Sequence, residues 1–398
     1  MSEHCLLVLG ASRYQLEVIK TAKDLGYRVV TTDNVPGNPG HALAHKSYSV
    51  DTTNLQEVLE VARREGVTGV LSPCTDVAVP TAAYVANALG LPGIPFESAR
   101  SLTSKISFRE FLIREGLPCP RFQVLADVAA TETTDPVGFP AIVKPEGSSG
   151  SKGIFIVRSR EELRERLPAT LDFSPVKKAL LEQLIEGRQG TCEGIVVDGK
   201  VAFSLLTDRE TAPAPFVATA AHLVPSRLLP AERERIVNQI QVILTAHGVR
   251  SSPFDCDFVI DPNGIPYVLE LTPRLGGNSL NRLVHESTGV HLAEVAVHLA
   301  CGSAIVLPAE LAVRPTAQLI FGVPSAGKLS FDQDEAASLR GSDWVRDLSF
   351  DYPVGHPVAA FINGRHRVGE ATLVGESRDD VDAKVSELRA RLRIAALP

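Results

Sequence analysis

None of the cysteines in this 398-residue chain forms a CxxC pair. Cys5, Cys74, Cys119, Cys192, Cys256 and Cys301 are scattered, which signals neither a zinc site nor a disulfide framework and leaves small, reduced, mostly buried side chains. Lys and Arg form no run and the net charge is −7, which argues against a nucleic-acid binder held by phosphate neutralisation. Long apolar stretches are lacking too: the opening MSEHCLLVLGAS has no basic leader and too short an apolar run for a signal peptide, and no later segment reaches membrane-spanning length. The expectation is a cytoplasmic chain with small-molecule partners, no nucleic acid and no membrane. Two glycine fingerprints are also absent. Gly10-Ala11-Ser12 after the first apolar run is not GxGxxG, and the later Gly-Ser loop lacks the GxxxxGK[ST] spacing.

What the chain does have is length and apolar content (44%) enough for two or three domains with sizeable cores. Residues 5–10 read as a buried strand, 14–25 as a helix and 28–32 as the next strand. Helices near 55–64 and 78–89 flank a strand at 69–72, so the first hundred residues predict a parallel sheet with helical crossovers. Gly10-Ala11-Ser12 either binds a ligand at a helix start or packs it. Phe139 to Val157 predicts strand, glycine-serine loop, strand, with Lys144 ending the first strand; amides of such a loop cradle phosphate, and a lysine beside them offsets charge. Next come an apolar segment at 179–186, Gly187, and strands at 194–197 and 201–206 joined by the Asp198-Gly199 turn. The tail predicts strands at 316–322, 359–362 and 369–374 and a helix at 379–392 capped by Ser377.

The richest stretch is Phe254 to Asn278, FDCDFVIDPNGIPYVLELTPRLGGN. Asp261-Pro262-Asn263-Gly264 predicts a tight turn between strands. Burying Phe254, Cys256, Phe258 and Ile260 together with Ile265, Tyr267, Leu269 and Leu271 puts Asp255, Asp257, Glu270 and Thr272 on the opposite common face. Clustered carboxylates repel unless a cation sits among them, and hard oxygens suit Mg²⁺ or Mn²⁺. Arg274 and Gly276-Gly277 add a guanidinium for phosphate and backbone that approaches a ligand closely.

In this order the pieces resemble the ATP-grasp superfamily, in the branch of biotin carboxylase, the purine-pathway carboxylases and formyl-transfer ligases, and the amino-acid ligases. The resemblance implies an α/β and α+β chain: a Rossmann-like parallel-sheet domain (1–104), an ATP-grasp domain (105–305, with a lid at about 115–185) and a small β-rich C-terminal domain (306–398) that is structural or dimerising, which leaves a homodimer open. It implies that Lys105 and Lys144 contact ATP phosphates under the loop Gly147, Ser148, Ser149, Gly150, Ser151 and Gly153. Glu182 with the backbone of Gln183 and Ile185 resembles the adenine hinge, with Gln189 or Glu193 at the ribose. Asp257 and Glu270 resemble the carboxylates that hold Mg²⁺, and Arg274 the arginine on the transferring phosphoryl. The chain departs from the pattern at Asp257, usually Glu, and Thr272, usually Asn, so Asn278, Asp255 or water completes the metal shell. His222 and Arg282 are either substrate contacts or, respectively, a structural histidine and an exposed helix face. The implied activity is an ADP-forming ligase that activates a carboxylate as an acyl phosphate and joins it to an amine, an amino-acid ligase being one form of it. The alternatives are a purine-pathway-like carboxylase or formyl-transfer ligase, and a non-catalytic ATP-binding protein.

Overall fold

A computed structural model describes residues 4–133, 137–212, 217–308 and 310–398; residues 1–3 of the expected N-terminal domain and 134–136 of the expected lid lie outside the described residues. The fully buried strand Cys5–Leu9 is the centre of a parallel sheet, ordered Lys46–Tyr48, Arg28–Thr32, Cys5–Leu9, Gly69–Leu71. The helix Leu55–Glu65 starts where Asn54 accepts the Glu57 amide and stops at left-handed Gly66; Val79–Leu89 likewise stops at Gly90. A second, antiparallel sheet of four strands, ordered Phe122–Leu125, Ala179–Gln183, Ala141–Pro145, Phe155–Val157, carries the glycine loop between its last two strands.

The largest sheet has eight strands, ordered Pro266–Thr272, Ser252–Ile260, Arg188–Val197, Lys200–Thr211, Thr219–Val224, Thr316–Phe321, Gly369–Val374 and Val345–Phe350. The expected hairpin strands are thus present but longer. Antiparallel pairing of Thr316–Phe321 with Thr219–Val224 makes the C-terminal strands a continuation of the central sheet. Ile236, Ile240 and Ile243 of the helix Pro230–Ala246, with Phe108 and Phe111, cover one face by packing on Phe254, Cys256, Phe258 and Ile260. At Gly190 and Gly194 a side chain would strike the Phe258 and Phe254 rings, its Cβ lying 2.3 and 2.1 Å from the nearest ring atoms, so glycine there lets the rings lie flat under the strand. The opposite face is left for polar side chains.

Two expectations are corrected. Strict alternation along the second hairpin strand fails, because a bulge changes the register from Asp257 opposite Glu270 to Phe258 opposite Val268. Val268 is therefore buried in place of Tyr267 and Leu269, while Glu270 stays on the polar face. The strand expected at 359–362 does not form. The short strand is Pro357–Val358, after which Phe361 turns inward over Gly322, whose missing Cβ leaves room for the ring. Among the described residues no helix is long and apolar enough to cross a membrane.

Candidate active site

The register sets Asp255 opposite Thr272 and Glu193, and Asp257 opposite Glu270 and Thr191. Residues directly opposite share a face, so the carboxylates converge as the sequence predicts. Glu270 is the open member: its side chain is 34% exposed, and the Lys105 ammonium stands 3.9 Å from Oε1. Burial pushes the Glu270 carboxyl up, opposed by Lys105 and reinforced by Asp76 and Asp257. Asp257 differs. Burial works to raise it, but Arg209 and the Thr191 hydroxyl hold it below the usual carboxylate range. Thr191 Oγ1 donates to Asp257 Oδ1 at 2.7 Å and Arg209 Nη1 to Oδ2 at 2.9 Å.

Lys105 opens the helix Lys105–Arg114, which Ser104 caps by accepting the Ser107 amide. Its ammonium donates to the Ser148 carbonyl at 2.8 Å, so one side chain spans from the glycine loop to the carboxylate wall. In that loop Gly147, Gly150, Gly153 and Ser151 all have positive φ, and Ser148 and Ser149 lie between them. The Gly150 carbonyl accepts from the Gly364 amide at 3.2 Å.

Lys144 and Glu182 sit on paired strands, and Glu182 is 1% exposed between Lys144 Nζ and Arg109 Nε, each at 2.5 Å. Burial would raise the Glu182 carboxyl, but the two cations win and hold it at about 2; burial lowers Lys144, partly offset by Glu182. The Glu182 carboxylate is thus committed to fixing Lys144 rather than turned to an adenine, because Arg109 is buried in the same layer. No residue pattern in the sequence announces Arg109, beyond an arginine standing beside Phe108 and near Phe111 on the buried side of a helix. The Gln183 amide donates to the Arg121 carbonyl; Ile185 is half-buried and Gln189 exposed just beyond that strand.

Glu193 is corrected. It is 1% exposed, accepts from the Gly276 amide at 3.2 Å and stands opposite Asp255 on the neighbouring strand. Of the two ribose candidates only Gln189 faces outward. Arg274 is clamped: Nε donates to Asp76 Oδ1 at 2.7 Å and Nη1 pairs with Asp255. Asp76, from the N-terminal sheet's loops, carries no signal of this role in the sequence. Arg282 pairs with Asp347 of the C-terminal strand Val345–Phe350. Asn278 is left-handed and half-buried, and no hydrogen bond among the described residues ties it to Asp257 or Glu270.

His222 is buried beside Thr207 Oγ1, 3.2 Å from Nδ1, and its Nε2 has no partner among the described residues. Burial pushes its imidazole down to about 3, Arg209 adding to this against Asp257. Unfolded, a histidine titrates near 6.5, so the unfolded chain takes up the proton first. Stability is therefore intact above about 6.5 and falls as pH drops toward 3, by about 1.4 kcal/mol per unit for one such group. Urea-unfolding midpoints at pH 7 and pH 5 are expected to differ more in the native chain than in His222→Gln; equal differences would count against a neutral buried His222.

The Gly10–Ser12 loop is packing: the Gly40 amide donates to the Ala11 carbonyl at 2.7 Å, and Asp33 accepts from the Ala11 amide, which fills the helix start.

Residues 105–307, half of the chain, match the family described as carbamoyl-phosphate synthase L chain, ATP binding domain. The chain belongs to this family. It is thereby an ATP-grasp protein, of a superfamily of ATP-dependent carboxylate-amine ligases. The "Uncharacterized protein y4rH" of Sinorhizobium fredii is 27% identical over 343 residues, covering 84% of this chain and 70% of that one. The carbamoyl phosphate synthase large chain of Thermus thermophilus is 26% identical over 300 residues, covering 72% of this chain; the match spans only 29% of that relative's length. Among solved structures, the L-amino acid ligase from Bacillus licheniformis superposes with a TM-score of 0.85 at 22% identity, and phosphoribosylglycinamide synthetase from Anaerococcus prevotii with 0.77 at 20%, each over 100% of both chains. At those identities the likeness is one of fold.

Among the described residues no three His, Cys, Asp or Glu side chains form a metal cage. The carboxylate wall instead offers paired hard oxygens, Asp257 and Glu270, with the buried, unpartnered Thr272 hydroxyl two residues on. That set fits Mg²⁺ arriving with a nucleotide, whose phosphates and waters supply the remaining ligands.

Proposed function

We propose that this chain is an ADP-forming ligase that phosphorylates a carboxylate substrate and passes the acyl group to an amine. The observation that carries the reading is the Lys105 side chain, which joins the glycine loop at Ser148 to Glu270, 122 positions further along the sequence. A triphosphate lying there meets Lys105, Lys144 and the loop amides on one side and the carboxylate pair on the other. Asp257 and Glu270 would hold Mg²⁺, which when bound neutralises charge developing on the phosphates. Lys105 and Lys144 position the phosphates by fixed charge. Arg274, clamped by Asp76 and Asp255, has one Nη2 N–H left for the acyl phosphate, and rigid clamping keeps reorganisation small. The glycine loop excludes water, which would otherwise hydrolyse the acyl phosphate.

Domain limits of 1–104, 105–305 and 306–398 and a cytoplasmic location belong to the same reading. The likeness to the L-amino acid ligase supports amino acids as the first substrates to try. The deciding experiment is an ADP-release screen with ATP and Mg²⁺ over amino acids and small carboxylic acids, singly and in pairs. Expected is ADP and phosphate release that requires one acid and one amine. Release of AMP and pyrophosphate would sink the proposal; ADP release only with bicarbonate and an aminoimidazole ribonucleotide would reassign the chain as a carboxylase, and nucleotide binding without turnover as a binding protein.

A further inference from the structure

Arg209 is a residue the proposed chemistry leaves unused, and its position is specific. It lies on the strand Lys200–Thr211 opposite His222 and reaches across the strand Arg188–Val197 to Asp257, with Nη1 2.9 Å from Oδ2. The guanidinium is fixed at two further points: Nε donates to Thr219 Oγ1 at 2.9 Å and Nη2 to the Val217 carbonyl at 3.4 Å. With Thr191 on Oδ1, both oxygens of Asp257 already have a donor, and the nearer charge is positive. Glu270, directly opposite, accepts no hydrogen bond among the described residues; the cations acting on it are the Lys105 ammonium, 3.9 Å away, and more weakly the Arg274 guanidinium. The wall is therefore asymmetric, with one carboxylate neutralised by a resident cation and one open.

Further along the same face the oxygens available to another ion are poor or occupied. Thr272 supplies a neutral hydroxyl, and the neighbouring Asp255 already pairs through Oδ2 with the Arg274 guanidinium. A triphosphate site can be neutralised by two divalent ions or by one ion and fixed basic side chains. Two cations on one carboxylate repel each other strongly in a partly desolvated site.

We infer that Arg209 supplies, on Asp257, the positive charge that a second divalent ion would otherwise bring, so that the nucleotide is held with a single metal ion shared by Glu270 and the outer lone pairs of Asp257. This rests on the reading of the site as a nucleotide site. Arg209 then acts as a charge-positioning residue.

The test counts metal rather than turnover. Mn²⁺ is titrated into the chain saturated with a non-hydrolysable ATP analogue, and bound ion is read from the loss of the free-Mn²⁺ electron paramagnetic resonance signal. Native chain and Arg209→Lys are expected to bind a single Mn²⁺ per bound analogue, and Arg209→Gln to take up a second. Two ions in the native chain, or a single ion in Arg209→Gln, overturn the inference. If Arg209→Gln does not fold, the native and Arg209→Lys counts still decide. A native chain that binds no analogue overturns the proposed function and this inference with it, whereas analogue bound with two ions overturns the inference alone.

Discussion

Glu182→Gln is expected to lose about 3 to 5 kcal/mol of stability, the range for breaking a buried charge pair from one side. Two cations, Arg109 and Lys144, converge on that carboxylate, and the pair Arg109–Glu182 is 1% exposed at both ends. The amide keeps the shape and one acceptor but removes the charge, which leaves two buried cations facing each other. Guanidinium-chloride unfolding followed by circular dichroism measures the loss. A change below about 1 kcal/mol would mean that solvent reaches the trio, in disagreement with its burial. The carboxylate's contribution also has a pH signature. Because its folded pKa of about 2 lies below the ordinary carboxylate value, the contribution is present above that ordinary value and is lost as pH falls toward 2. Glu182→Gln should therefore show a shallower acid-side decline than the native chain. Nucleotide affinity should fall too, since Lys144 loses the partner that fixes its ammonium.

Glu270→Gln is expected to act in the opposite way, with full folding and little turnover. Glu270 accepts no hydrogen bond among the described residues, its side chain is a third exposed, and its one ion pair, with Lys105, is long at 3.9 Å, so the fold depends little on its charge. Its nearest charged neighbours are Lys105 and, directly across the hairpin, Asp257. In the proposed function Glu270 is one of two anionic metal ligands, and its loss should lower ADP release about 10² to 10³-fold, comparable to removing one preorganised electrostatic contact to a transition state. The variant's melting temperature should stay within about 2 °C of the native value, the shift that a stability change under about 1 kcal/mol produces in a chain of this size. A variant with full activity in an assay where the native chain turns over would remove Glu270 from the metal wall.

Much of this site is legible along the chain because its parts are local. The turn Asp261–Gly264 and the two-residue period of its strands are enough to put Asp257 and Glu270 on one face. Lys144 beside a glycine-serine loop is likewise a short-range pattern. The bulge before Glu270 was not legible, since Val268 and Leu269 are both apolar and only packing against Phe258 chooses between them. The strand expected at 359–362 failed for a related reason: Phe361 finds its place over Gly322, a residue about forty positions away.

The sequence by itself determined which residue types the carboxylate wall would have and on which face they stand, because strand period and turn chemistry act between neighbours. Only the tertiary structure decided which of those groups are free. Arg109 commits Glu182, Asp76 clamps Arg274, the Gly276 turn buries Glu193, and Arg209 neutralises Asp257 while Glu270 stays open. Each of those partners comes from a different strand, helix or loop, and charge pairing acts through space at a few ångströms with no regard to separation along the chain.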